Sequence, residues 1–218
     1  MAKYFDPFIF KNLGALTVEE TRWIRLAVAF WDVGSFSLMC NELSEDNAKV
    51  TYFLKDYFNE AARIITKHNG ILDKFIGDGI LAYFGYIDDP NFPNESIMAA
   101  LDMNHSFEKI REEHELIWLN HNGKKIHISL RCGIHLGRVI FGILETDLRK
   151  QVTVIGRNVN LASRLVEFAR KDEIIVSQEL RNVVRKEFRF RKIRVTTRTP
   201  EIKSFPGVSE VFKLKGKI

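Results

Sequence analysis

A mixed α+β fold, a mostly antiparallel sheet flanked by helices, is predicted by three observations. Apolar runs of strand length alternate with helical repeats along the chain. Two strand pairs are read around glycine-bearing turns, one at Gly77-Asp78-Gly79 and one at Leu136-Gly137. No internal repeat or linker divides the 218 residues, a length that suits one domain with a full core.

The elements follow in order. Residues 1–23 are too short and too aromatic for a domain, as in Lys3-Tyr-Phe-Asp-Pro-Phe-Ile-Phe-Lys11, and read as a connector, which leaves 24–218 as the domain. Leu26-Ala-Val-Ala-Phe-Trp-Asp32 is an apolar run stopped by a carboxylate, the pattern of a buried strand that delivers its acid to a sheet edge. From Glu42 to Asn69, the apolar residues Val50, Phe53, Leu54, Tyr57, Phe58, Ala61, Ile64 and Ile65 repeat with helical period until Asn69-Gly70 ends them. Gly70 to Gly85 then reads as a hairpin with Asp78 at its turn, and Asn94 to Leu119 as a helix after the turn signals Asp89-Pro90 and Phe92-Pro93.

Lys125 to Phe141 reads as a second hairpin, with strands at 126–134 and 138–141 joined at Leu136-Gly137. Val152 to Ile155 is a short strand, and Asn158 to Ala169 a helix with Val159, Ala162, Leu165 and Val166 on its apolar side. Ile174 to Val176 and the segments near 188–195 and 208–214 supply the last strands. In Phe188-Arg-Phe-Arg-Lys-Ile-Arg-Val195 the alternation shifts phase at Arg191-Lys192, which predicts a bulge. The order β-α-β-β-α-β with C-terminal additions is that of a ferredoxin-like sheet with helices packed on one face.

The formal charge of +5 and a pI near 9.2 suit an acidic partner such as a polyphosphate. Nucleic acid is set aside, because no motif of groove or base readout accompanies the charge. No apolar stretch approaches the roughly 18 to 20 residues that span a bilayer. Cys40 and Cys132 are far apart and have no metal-type spacing, which fits a reducing compartment and a cytoplasmic location.

Asp32 and Asp78 bring two carboxylates to adjacent strand ends, the donor set that a pair of divalent cations needs. Four segments together resemble the class III nucleotidyl cyclase catalytic domain, the adenylyl and guanylyl cyclase family. They are Val28-Ala-Phe-Trp-Asp-Val-Gly-Ser-Phe-Ser37, Leu72-Asp-Lys-Phe-Ile-Gly-Asp-Gly79, Leu130-Arg-Cys-Gly-Ile-His-Leu-Gly137 and Val154-Ile-Gly-Arg-Asn-Val-Asn-Leu-Ala-Ser-Arg164, in order over about residues 24 to 214. The resemblance implies the class III cyclase fold and an enzyme that makes a 3′,5′-cyclic nucleotide and pyrophosphate from a nucleoside triphosphate.

It also implies the roles. Asp32 and Asp78, with the carbonyl of Val33, match the positions that bind two Mg²⁺ or Mn²⁺ ions per site. Asn160 matches the residue that orients the ribose, and Arg164, four residues on and on the same helical face, the one that stabilises charge on the phosphates. Lys74 and Thr153 match the purine-reading positions of the adenylyl subgroup, where guanylyl cyclases usually carry Glu and Cys. A Lys donor suits the N1 acceptor of adenine, so ATP is the expected substrate. Lys203 is the expected phosphate-binding lysine.

In the family the metal-binding aspartates and the Lys74, Thr153, Asn160 and Arg164 positions serve one site from two chains. A head-to-tail homodimer is therefore implied. So is an upstream regulatory domain in the full-length protein, which allows membrane tethering. Four positions depart from the family pattern: Ser35 stands for Gly in the metal-binding loop, Trp31 for a small residue, Arg157 for Asp and Ser204 for Gly. They leave a rival reading, ranked ahead of a guanylyl cyclase: a catalytically degenerate dimeric module that binds nucleotide or a signalling partner. Against it, Asp32, Asp78, Lys74, Thr153, Asn160 and Arg164 are chemically intact.

Overall fold

The computed structural model describes residues 21–123, 125–148, 150–195 and 208–218. Among them the chain runs β1 (Arg22–Gly34), α1 (Phe36–Glu42), α2 (Asn47–Lys67), β2 (Gly70–Ile76), β3 (Gly79–Phe84), α3 (Phe92–Asn122) and β4 (Ser129–Glu145). It continues through β5 (Lys150–Ile155), α4 (Arg157–Val166), β6 (Ile174–Val176), α5 (Gln178–Val184), β7 (Phe188–Arg194) and β8 (Glu210–Lys217). The sheet order is β2-β3-β1-β4-β6-β8-β7, with β5 attached to β4 alone. Only β4 and β6 pair in parallel, so the mostly antiparallel α+β sheet read from the sequence is present.

Strand β1 organises the core because successive side chains point to opposite faces. Ala27, Ala29, Trp31 and Val33 join one cluster with Phe53, Tyr57, Ala61, Ile64 and Ile65 of α2 and Ile97, Met103 and Phe107 of α3. Leu26 and Val28 join a second cluster with Leu81, Tyr83, Val139 and Phe141 of the sheet and Val159 and Ala162 of α4. Burial on both faces is why β1 reads as a continuous apolar run and not as an alternation. It also corrects the one-face expectation: α2 and α3 cover one side of the sheet and α4 the other.

The expected position of Asp32 at a sheet edge is corrected too. Strand β1 lies inside the sheet between β3 and β4, and Asp32 is near the strand's end, opposite Arg131. The second predicted hairpin does not exist in the form expected, because β4 is one strand of 17 residues. Leu136 and Gly137 pair straight across to Ala27 and Leu26 of β1. The hairpin forms instead between β4 and β5. Gly137 serves close approach and not a turn: a Cβ there would lie 2.6 Å from His135 Nε2 and 2.7 Å from Asn158 Nδ2.

Smaller differences have similar causes. The helix expected from Glu42 begins at Asn47, after the separate α1, and ends where Asn69 takes a φ of 55°. The bulge expected at Arg191-Lys192 falls between Arg189 and Phe190. Arg22 and Trp23, read as connector, open β1, and residues 1–20 of that connector lie outside the described residues. Cys40 and Cys132 are both free thiols. Among the described residues, no helix is long and apolar enough to cross a membrane.

Gly137→Ala is expected to lower stability by about 1–3 kcal/mol, since the new methyl crowds His135 and pushes the Asn158 side chain off its hydrogen bond to the Arg138 carbonyl. Urea denaturation measures this, and an unchanged midpoint would mean that α4 does not depend on the close approach.

Candidate active site

The two carboxylates singled out in the sequence meet at one end of the β2–β3–β1 surface. The β1–β3 ladder ends with Trp31 opposite Ile80. Beyond it, the Val33 amide donates to Asp78 Oδ2 at 3.1 Å, which ties the hairpin turn to β1. Gly77 takes the positive φ of the turn, 62°, so Asp78 is not there to supply it. Burial raises the Asp78 carboxyl above its ordinary range and the like charge of Asp32 adds to the rise, against hydrogen bonds from the Asp78 and Val33 amides and the Arg131 charge. Asp32 Oδ2 is ion-paired with Arg131 Nη2.

These residues fit divalent cations. The two carboxylates repel one another, and hard oxygen donors of this kind suit Mg²⁺ or Mn²⁺ better than zinc. Among the described residues no group of three or more His, Cys, Asp or Glu side chains is placed to hold a metal ion.

A second cluster gathers on β2 and β5. Lys74 Nζ donates to Thr153 Oγ1 at 2.9 Å, although the two are 79 residues apart in the chain. Behind them lies Asp73, whose side chain is 0% exposed. Its carboxylate accepts from Thr153 Oγ1 at 2.8 Å, from the Val154 amide at 3.2 Å and from Lys74 Nζ at 3.1 Å. Burial raises the Asp73 carboxyl pKa, and Lys74, Thr153 and Val154 oppose that rise. Strand β5 pairs only with β4, so side chains tie the β4–β5 arm to β2: the polar contacts to Asp73 and Lys74, and the apolar cluster that Ile71 shares with Val152 and Val154.

Asn160 and Arg164 share the exposed side of α4, whose other side buries Val159, Ala162, Leu165 and Val166 as the periodicity predicts. Arg164 Nη1 pairs with Glu167 Oε1 at 2.5 Å and with neither carboxylate of the Asp32–Asp78 pair. The structure thus brings together Asp32, Val33 and Asp78, and separately Lys74 and Thr153, within one chain. Lys203 and Ser204 lie outside the described residues.

Two of the departures acquire a physical meaning. Trp31 is 1% exposed and points into the α2–α3 core, on the face of β1 opposite Asp32. It therefore leaves the carboxylate's surroundings open. Ser35 takes φ 67° and ψ 19°, a left-handed conformation that favours glycine.

Sequence reasoning missed Arg131 and Asp73 as site residues, though both lie inside segments it had singled out. Arg131 gains its meaning from the register that sets it opposite Asp32. Asp73 gains its meaning from contacts to Thr153 and Val154, far away in the chain.

A family model described as the adenylate and guanylate cyclase catalytic domain matches residues 18–209. The chain is 32% identical over 143 residues to an adenylate cyclase of Anabaena cylindrica, an alignment that covers 65% of this chain and 26% of that protein. It thus spans about a quarter of that curated relative. Its fold is similar to the adenylyl cyclase CyaB from P. aeruginosa, with a TM-score of 0.79 and 27% identity over 89% of this chain and 95% of that one. It is also similar to the non-canonical dimeric guanylyl cyclase domain of the RhoGC fusion protein from Blastocladiella emersonii, with a TM-score of 0.73 and 18% identity over 90% of this chain and 99% of that one.

Ser35→Gly is expected to raise stability by about 0.5–1 kcal/mol, because glycine adopts the left-handed conformation without the steric cost of a Cβ. The urea midpoint reads this directly. A lower midpoint would show that the serine side chain makes a contact worth more than the strain.

Proposed function

The chain belongs to the adenylate and guanylate cyclase catalytic domain family, and from that membership we propose that it is an adenylyl cyclase, a phosphorus–oxygen lyase converting ATP to 3′,5′-cyclic AMP and pyrophosphate. The observation that carries the choice of ATP is the 2.9 Å hydrogen bond between Lys74 and Thr153. It joins a cationic donor to a hydroxyl at the positions where the family reads the purine. The third ammonium proton of Lys74 suits the N1 acceptor of adenine, while guanine presents a donor there.

In the reaction the ribose 3′-oxygen loses its proton and bonds to the α-phosphorus in line, as the bond from that phosphorus to pyrophosphate breaks. Asp32, Asp78 and the Val33 carbonyl would hold two Mg²⁺ or Mn²⁺ ions. When bound, such ions lower the pKa of the attacking hydroxyl and offset the triphosphate charge. Asn160 orients the ribose, and Arg164 forks onto phosphate oxygens as charge builds up on them. Lys203 adds a further cation toward the phosphates.

The exposure of Asn160 and Arg164, and the pairing of Arg164 with Glu167, support a site completed by a second chain. The assembly is a head-to-tail homodimer with two equivalent sites. An upstream regulatory region in the full-length protein fits the small share of the Anabaena relative that the chain spans.

Purified protein incubated with Mn²⁺ at a concentration that favours dimers should form cyclic AMP from ATP and little cyclic GMP from GTP. Product from GTP alone would replace the adenylyl reading, and no cyclic product from either nucleotide would remove the enzyme reading. Asp32→Ala and Asn160→Ala proteins should each be nearly inactive. Mixed together they should regain up to about a quarter of wild-type activity, since half of the dimers are mixed and each of those has one intact site. Absence of recovery would argue against a shared site.

A further inference from the structure

The buried carboxylate of Asp73 has no part in the roles given so far, yet it touches both residues expected to read the base. Hydrogen counting on Thr153 shows its consequence. A hydroxyl has one hydrogen and two lone pairs, and an ammonium has only hydrogens to give. At 2.9 Å from Lys74 Nζ, Thr153 Oγ1 is therefore the acceptor. Its single hydrogen has two places to go: the Asp73 carboxylate at 2.8 Å or the Val154 carbonyl at 3.5 Å. The charged and nearer acceptor wins. One lone pair on Oγ1 and one hydrogen on Lys74 remain for a ligand.

A bulge makes this arrangement possible. Leu72 pairs with Ala82 and Lys74 with Leu81, so Asp73 is the extra residue of β2. Neighbours in a regular strand point to opposite faces, and the bulge lets Asp73 and Lys74 reach the same hydroxyl.

We propose that Asp73 is a positioning residue that sets base specificity: by taking the Thr153 hydrogen, it fixes that hydroxyl as an acceptor beside the Lys74 donor. The pair then presents acceptor and donor to the 6-position and N1 of a purine. Adenine answers with its exocyclic amine and its N1 lone pair. A 6-oxopurine sets a carbonyl against the Thr153 lone pair and an N1–H against the Lys74 ammonium. Held in this way, a threonine acts as an aspartate would. The inference rests on the adenylyl cyclase reading and adds to it the residue that enforces the choice.

Inosine 5′-triphosphate isolates this edge, because it carries the 6-oxo group and N1–H of guanine without the 2-amine. The ratio of kcat/KM for ATP to that for ITP is the readout, and a merely structural defect would lower both rates without moving it. Asp73→Asn keeps the shape but removes the charge and one of the two acceptor oxygens that serve Thr153, the Val154 amide and Lys74. Its hold on the Thr153 hydrogen weakens, so the ratio should fall about ten-fold or more. Adding Thr153→Asp to Asp73→Asn supplies an acceptor that needs no orienting group, and should restore much of the preference. If Asp73→Asn fails to fold by circular dichroism, Thr153→Val alone must show the same loss of preference.

An unchanged ATP-to-ITP ratio in whichever of these single variants is folded would overturn the role of Asp73 and leave the adenylyl reading in place. So would a fallen ratio in Asp73→Asn that the second substitution does not raise. A wild-type protein that turns over GTP or ITP in preference to ATP would remove the adenylyl reading itself.

Discussion

The register of β1 is the constraint on which the rest depends. Strand β1 is held on both sides, by β3 and by β4, and its side chains alternate between two buried faces. A slip of one residue would turn Trp31 out of its core and Asp32 into it, exchanging a buried indole for a carboxylate. The same register sets Asp32 opposite Arg131 and carries the Val33 amide just past the end of β3, where the Asp78 carboxylate meets it. The packing of an indole on one face thus fixes the position of an acid on the other.

Electrostatics then separates the acids by task. Asp32 and Asp78 remain accessible, and Asp78 is pushed toward its neutral form by burial and by Asp32. That is the condition of a pair short of positive charge. Arg131 supplies part of that charge from β4, in an ion pair whose side chains are each about one-third exposed, 34% and 36%. At that exposure such a pair is worth about 1 kcal/mol or less. It orders Asp32 without closing the position to a stronger cation.

Much of this was legible in the sequence because strand and helix periods differ. The α2 repeat, the β2–β3 hairpin around Gly77-Asp78-Gly79 and the apolar side of α4 all follow from spacing alone. What was illegible depends on distant parts of the chain. Gly137 looks like a turn residue, and only its closeness to Asn158 shows that β4 runs straight through it. Helices α1 and α5, seven residues each, are too short for a helical period to stand out. Asp32 and Asp78 stood out because each interrupts an apolar pattern. Arg131 and Asp73 are ordinary alternating polar residues until tertiary contacts assign them partners.

Asp73 and Asp78 show how far position decides chemistry. They are five residues apart on one hairpin, yet one is enclosed by donors and the other is left short of them. Asp78 sits at the turn, where its carboxylate accepts from the Val33 amide and its own amide and stands beside the like charge of Asp32. Asp73 sits at a bulge, where the ladder skips a residue and the side chain turns toward the β4–β5 arm. There three donors fill it: a hydroxyl, an amide and an ammonium. A carboxylate satisfied in this way has little left to offer a cation, and its influence passes to the groups it holds. The bulge of one residue in β2 thus gives two acids of one hairpin unlike surroundings, Asp73 enclosed by donors and Asp78 at the turn beside Asp32.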